Sequence, residues 1–165
     1  MKVISTGDLN NSALVDIFKD NQLRAEIIVV NPAEPALGLE EDSYVRVSYP
    51  DNKEVIFWMR PKECLLRMRT VLLDRKELDL LEKQAKLVKV DLDWEEKMAF
   101  INQNAGAFGS LNSNLLGLVV DYALPYRTGV LDETILLAGE NLLRGAEVAW
   151  CYIESKVKRV RAKQI

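Results

Sequence analysis

Residues 44–59 read YVRVSYPDNKEVIFWM, and this stretch decides the fold. In its first half two valines and a tyrosine alternate with Arg46 and Ser48, which is typical of a strand that buries one face. Pro50 and Asn52 suit a tight turn, because proline pre-sets φ and asparagine tolerates positive φ. A second apolar run completes the stretch. It therefore predicts a β-hairpin.

The chain before and after this hairpin adds further elements to it. An amphipathic helix is predicted at 12–20, and the apolar run at 26–30 predicts a strand buried on both faces. After the hairpin, residues 64–73 favour a third strand of a meander. The leucines and methionine of that segment also fit helical spacing, so a helix is the alternative.

The second half of the chain predicts more helices and a second hairpin. The predicted elements are helices at 77–86 and 93–102 with a brief edge strand at 87–93 between them, strands at 107–111 and 115–124, and a long helix that opens at Asp132. Together they predict an α+β fold, in which an antiparallel sheet is flanked by helices in the order α-β-β-β-α-β-β-α.

Length and charge divide the chain into a body and a tail. The 165 residues suit one domain, predicted as a single α+β domain at 1–155 with a basic C-terminal tail at 156–165. The tail holds five of the 22 basic residues. The body keeps 17 against 25 acidic residues, a net charge of −8. Nucleic acid is therefore an unlikely partner for the body, and we expect the tail to be solvated, with a binding element as the alternative.

The sequence also predicts the surroundings of the protein. Residues 1–8 lack an apolar signal core, and the apolar runs at 27–30 and 115–120 are too short to span a membrane, so we expect no membrane partner. Cys64 and Cys151 show no CxxC spacing. Both are expected to be reduced core residues in a cytoplasmic protein.

Catalytic chemistry has little support in the residues. The sequence contains no histidine, which excludes Ser-His-Asp and Cys-His mechanisms and every histidine-containing metal site. The acidic groups at 40–42, 91–93 and 95–96 lack the spacing of a metal-binding loop and suit loop solvation, a strand edge and helix capping. We predict no catalytic residue, no cofactor and no metal ligand, and hence no enzyme.

The last predicted helix carries more apolar surface than one sheet face requires. Leucines at 136, 137 and 143 lie beside its main apolar stripe, and small residues would let another backbone approach closely. A helix with such a surface is either sandwiched within the fold or in contact with a second chain. We expect a homodimer, and the interface candidates are Leu136, Gly139, Leu143 and Ala146.

The order of features at residues 95–153 carries a family resemblance. A helix ends in INQN at 101–104, a strand closes with YALPY at 122–126, and GVLDE at 129–133 precedes the long helix. This order resembles the YbjN-like and type III secretion chaperone-like superfamily. The resemblance implies an antiparallel sheet flanked by helices, an acidic homodimer, and binding of protein segments without catalysis. It carries over no catalytic residue, and residues 74–92 depart from it as an insertion.

These observations lead to three functional hypotheses. The first is a cytoplasmic, chaperone-like or regulatory module that binds a protein partner. The second is a nucleic-acid-associated regulator that uses the basic residues at 156–163. The third is a carboxylate- or metal-dependent enzyme built on the acidic loop at 40–42.

Overall fold

A computed structural model describes residues 1–30, 42–105, 109–114 and 116–164. The fold is mixed α+β with antiparallel pairing, as predicted. In chain order the elements are β1 Val3–Ile4, α1 Asn11–Asp20, β2 Arg24–Val29, β3 Ser43–Tyr49, β4 Lys53–Arg60, β5 Leu65–Asp74, α2 Arg75–Leu87, α3 Trp94–Ala105, β6 Ser110–Asn114, β7 Gly117–Pro125, β8 Val130–Leu131 and α4 Asp132–Ala162.

Six of these strands form one antiparallel sheet. Its strand order is β2-β3-β4-β5-β7-β6, and β1 pairs with β8 in a separate two-stranded ribbon. The hairpin predicted at 44–59 is present as β3 and β4, with positive φ at Asp51 and Asn52 in the turn. The alternative for residues 64–73 is decided in favour of the strand, because β5 pairs with β4 on one side and β7 on the other.

The helices cover one face of the sheet. Side chains of β3, β4 and β5 on this face are fully buried against α1 and α4, and the rings of Phe18 and Phe57 pack 4.8 Å apart. The long helix α4 carries the main apolar stripe predicted from the sequence, and Ile135, Leu142 and Ile153 are buried along it. The helices and sheet therefore share one hydrophobic core.

The strand predicted at 26–30 is found as β2, but it is not buried on both faces. It lies at the edge of the sheet, and Ile27 and Val29 are 46% and 76% exposed. The prediction of burial on both faces was wrong, because a continuous apolar run also suits a strand at the edge of a sheet. The position of a strand in the sheet order cannot be taken from its own sequence.

The edge strand predicted at 87–93 is absent. The helix α2 runs to Leu87, and Lys89 follows it with a φ of 53°, while the N–H of Val90 donates to the carbonyl of Ala85. This is the pattern of a helix C-terminal cap, with lysine in the left-handed position that glycine more often occupies. Val90 and Leu92 are buried because the segment docks onto the core rather than pairing.

The segment predicted as a solvated basic tail is part of α4. The helix continues through Ala162, and Val157 and Val160 extend the apolar stripe into the core. Lys156 donates to the carbonyl oxygen of Asp91 at 2.9 Å and pairs with the carboxylate of Asp93. This part of the stripe was not recognised in the sequence, because the basic residues around it suit a free tail as well as the C-terminal end of a helix.

Gly139 lies inside the fold, on the side of α4 that faces the sheet. A Cβ atom built on it would lie 2.3 Å from the hydroxyl oxygen of Tyr49, and that buried hydroxyl has no hydrogen-bond partner among the described residues. Burial raises the pKa of Tyr49 above its ordinary value, so the hydroxyl stays protonated. The glycine therefore makes room for a tyrosine of β3.

This contact gives a testable prediction. Tyr49→Phe should raise the free energy of unfolding by roughly 1 kcal/mol, because it removes a buried, unpaired hydroxyl. Gly139→Ala should destabilise the native protein by displacing that hydroxyl, and it should cost much less in the Tyr49→Phe background. Urea denaturation of the double-mutant cycle measures both effects. An equal cost of Gly139→Ala in the two backgrounds would contradict the contact.

Candidate functional site

A cleft in the described residues opens where β4 and β5 separate. Their ladder ends at the pair Ile56 and Arg69, whereas β4 continues its pairing with β3 as far as Lys53. Beyond Arg69, β5 follows β7 alone, and its register shifts between Val71 and Leu73. Such a bulge bends the strand and increases its twist. The bend carries β5 away from β4 and leaves a gap between them.

Thr70 closes the inner end of this gap. Its hydroxyl donates to the carbonyl oxygen of Glu54 at 2.8 Å, just beyond the last paired residues of the β4–β5 ladder. Thr70 is also buried, at 7% exposure. Most buried polar groups are hydrogen-bonded, and this bond satisfies the threonine and joins the two strands at the point where they part.

The cleft has a volume of about 780 Å³ and lies between the gap and the helix α4. On the helix side, Leu143 and Trp150 lie two turns apart, with Ala146 between them. On the sheet side Ile56, Val71 and Leu72 line it, so its walls are mainly apolar. This size and composition suit non-covalent binding of an apolar group or segment.

Charged side chains surround these apolar walls, and the cations among them are paired. Arg46 donates to Glu26 with Nε at 3.0 Å, and Lys53 pairs with Glu147 across the mouth. Arg46 lowers the pKa of Glu26 through this hydrogen bond, which favours the ionised carboxylate. The rim therefore offers paired, ordered charges around an apolar floor.

The row of cross-strand neighbours that contains Arg46 continues to Arg69 and Asp121, on the far side of the cleft. Arg69 donates to Asp121 with Nη2 at 2.8 Å, and its guanidinium lies 5.3 Å from the ring centre of Trp58. Burial raises the pKa of Tyr44, which keeps its phenol neutral and able to donate a hydrogen bond. These contacts hold the rim side chains in place.

The structure separates the four interface candidates. Leu143 and Ala146 line the cleft, whereas Gly139 faces Tyr49 inside the fold. Leu136 is half-buried and packs on the core. The four residues do not form one outward surface of α4, and the most exposed leucine of this helix is Leu137, at 52%.

Only one of the two cysteines lies where it was predicted. Cys64, just before β5 and with a φ of 50°, is half-buried and packs against the hydrophobic core. Cys151 is exposed and lies at the cleft, so the expectation that it is a core residue was wrong. Cys151 follows Trp150 on a helix, and one step along a helix rotates a side chain by about 100°, which moves it off the apolar face.

The acidic groups considered as sites have structural partners or fall outside the described residues. Lys156 lowers the pKa of Asp93 by a direct hydrogen bond, and the residues at 40–41 are not described. In the described ranges no group of three or more acidic, cysteine or histidine side chains is placed to hold a metal ion. Nor does any helix there have the length and apolar character to cross a membrane.

Sequence patterns did not reveal the cleft, since it depends on where a ladder ends. One signal was present: Thr70 is the polar residue that falls on the buried face of the apolar run 65–73. Comparisons of the chain with protein-family models, curated proteins and solved structures give no match. Function is therefore inferred from the geometry of the cleft.

Proposed function

We propose that this protein is a cytoplasmic, non-catalytic binding module that holds an extended, apolar segment of a protein partner in the cleft between α4 and the parting strands β4 and β5. One observation carries the proposal: the β4–β5 ladder stops at the pair Ile56 and Arg69, and beyond this pair the two strands are separated by an apolar gap.

An extended segment suits this gap better than a compact molecule. Parting strands expose backbone edges, and an extended chain binds such edges through its own N–H and C=O groups. Its alternate side chains point to opposite sides, so one set can contact Leu143 and Trp150 while the other contacts Ile56 and Val71. The ordered charges at the rim supply polar contacts for the flanking residues.

Binding without catalysis agrees with the chemistry of the cleft. Its arginines and its lysine are held in ion pairs, and the phenol of Tyr44 is kept neutral by burial. These groups are suited to holding a ligand rather than to transferring protons at neutral pH. The resemblance to chaperone-like proteins supports the same class of function.

The cleft can be tested with peptides selected from a displayed library of ten-residue sequences. A selected peptide should bind the native protein and quench or shift the fluorescence of Trp150, which lies in the cleft. Leu143→Asp should weaken binding at least tenfold, because it places a carboxylate on the apolar wall (about 1.4 kcal/mol for each factor of ten).

Leu137→Asp is the matched control, since it introduces the same group on the exposed side of the same helix. It should leave peptide affinity unchanged. Labelling the exposed thiol of Cys151 with a bulky maleimide should block the same peptides. Peptides that bind Leu143→Asp as tightly as the native protein would place the site elsewhere and overturn the proposal.

A further inference from the structure

In the part of the chain that the structure describes, no strand pairs with the outer edge of β2, and this edge is apolar. The strand lies at the end of the strand order, beside β3, with Ile27 at 46% and Val29 at 76% exposure. Natural proteins usually protect such an edge with lysine, proline or a bulge, because its free backbone groups attract another strand. The β2 sequence RAEIIV contains neither lysine nor proline, and its register with β3 is regular.

The pairing with β3 shows which backbone groups face outward. The N–H of Val30 donates to the carbonyl of Asp42 at 2.8 Å, in register with the β2–β3 ladder. In an antiparallel ladder, alternate residues direct both their N–H and their C=O groups to the same neighbour. Every second residue before Val30 therefore bonds to β3. The remaining three, Ala25, Ile27 and Val29, direct their groups to the open edge.

We propose that two copies of this chain associate through β2, antiparallel, about a twofold axis at Ile27. In this register Ile27 lies opposite the partner's Ile27, and Ala25 lies opposite the partner's Val29. All three outward residues of each strand are then matched, which gives roughly six backbone hydrogen bonds across the axis. The two sheets become one continuous sheet, in the closed symmetry usual for dimers.

The side chains of β2 favour its own copy as the occupant. The exposed Ile27 and Val29 share one face and cover each other and Ala25 across the axis. On the other face, Glu26 lies opposite the partner's Ile28, so no like charges meet. A register centred on Ala25 instead leaves Val29 beyond the paired residues. Among antiparallel registers about a twofold axis, the one centred on Ile27 pairs the largest number of outward residues of β2 with one another.

The sequence pattern suggested a dimer interface on α4, whereas the interface inferred here lies on β2. Experiments can distinguish the two. Sedimentation equilibrium should show a dimer of the native protein at micromolar concentration. Ile27→Lys and Val29→Lys should each raise the dimer dissociation constant at least tenfold, because a lysine on an edge strand opposes pairing. Both side chains are exposed, so the melting temperature of the monomer should change little.

Leu137→Lys is the control, because it introduces the same charge at an exposed leucine of α4. It should leave the dimer intact. Dissociation by Leu137→Lys but not by Ile27→Lys would place the interface on α4 and overturn the inference. A native protein that is monomeric up to 100 micromolar, roughly the range of weak association, would overturn it as well.

Disulfide trapping tests the register. In a Cys64→Ser, Cys151→Ser background, Ile27→Cys should form a linked dimer on mild oxidation, because the two residues face each other about 5.5 Å apart between Cα atoms. Val29→Cys should not, since it lies four residues, or roughly 13 Å, from its symmetry mate. Equal trapping of both variants would show that the register is not the one inferred.

Discussion

Removal of residues 156–165 is expected to lower the free energy of unfolding by about 4 kcal/mol. The loss combines two buried valines, each worth roughly 1.5–3 kcal/mol, with the contacts of Lys156. Val157 and Val160 lie in the core, and Lys156 holds the segment before α3 through Asp91 and Asp93. Urea denaturation followed by circular dichroism measures the change.

Truncation after Ala162 is the control for this experiment. It removes residues that follow α4, so stability should stay within about 0.5 kcal/mol of the native protein. The double variant Val157→Ala, Val160→Ala should fall between the two truncations. A full truncation as stable as the short one would mean that the end of α4 is not part of the core.

Gly117→Ala is expected to be strongly destabilising, because Gly117 has the closest backbone neighbour among the five glycines whose surroundings the structure describes, Gly7, Gly109, Gly117, Gly129 and Gly139. Gly117 begins β7 with a φ of 125°, and a Cβ atom there would lie 2.0 Å from the carbonyl oxygen of Leu73. The neighbouring atoms are backbone, so they cannot move aside as a side chain can. We expect a loss on the order of 4 kcal/mol or failure to fold, since strain and overlap add.

Gly7→Ala provides the comparison, because a Cβ atom at Gly7 meets nothing within 4 Å. Its melting temperature should match that of the native protein within about two degrees. Thermal unfolding of the two variants side by side separates the steric cost at Gly117 from any general effect of replacing glycine. Equal melting temperatures would show that the β5–α2 junction can shift to admit the methyl group.

Local chemistry explains which elements could be predicted. The hairpin at 44–59 was predictable because its alternation and its turn residues agree. Helical spacing likewise predicted α1, α2 and most of α4. The apolar residues at 64–73 fit the spacing of a strand and of a helix. They form a strand because β5 pairs with β4 on one side and with β7 on the other.

Features that depend on distant contacts could not be predicted in this way. The edge position of β2 follows from the order of strands, which no short segment contains. The segment at 87–93 alternates like a strand but is anchored by Val90 and Leu92 after a helix cap. The cleft depends on the length of the β4–β5 ladder, and only Thr70 hinted at it. The predicted hairpin strand at 107–111 falls partly outside the described residues.

The docking of the C-terminal segment also bears on the nucleic-acid hypothesis. Lys156 is engaged with Asp91 and Asp93, and Lys158 pairs with Glu154. A phosphate backbone would have to compete with these contacts for two of the five cations. The structure thus adds nothing in favour of this alternative over binding in the cleft.

The strand order β2-β3-β4-β5 fixes how far the cleft lies from the open edge. With strands about 4.8 Å apart, the gap between β4 and β5 lies roughly 14 Å from the axis of a pair joined through β2. Measured across the strands, two clefts would then be about 29 Å apart on one sheet. A single partner chain with two apolar segments could fill both, if at least about nine extended residues joined them. The second contact would be intramolecular, so two weak sites could act with the avidity of one strong site.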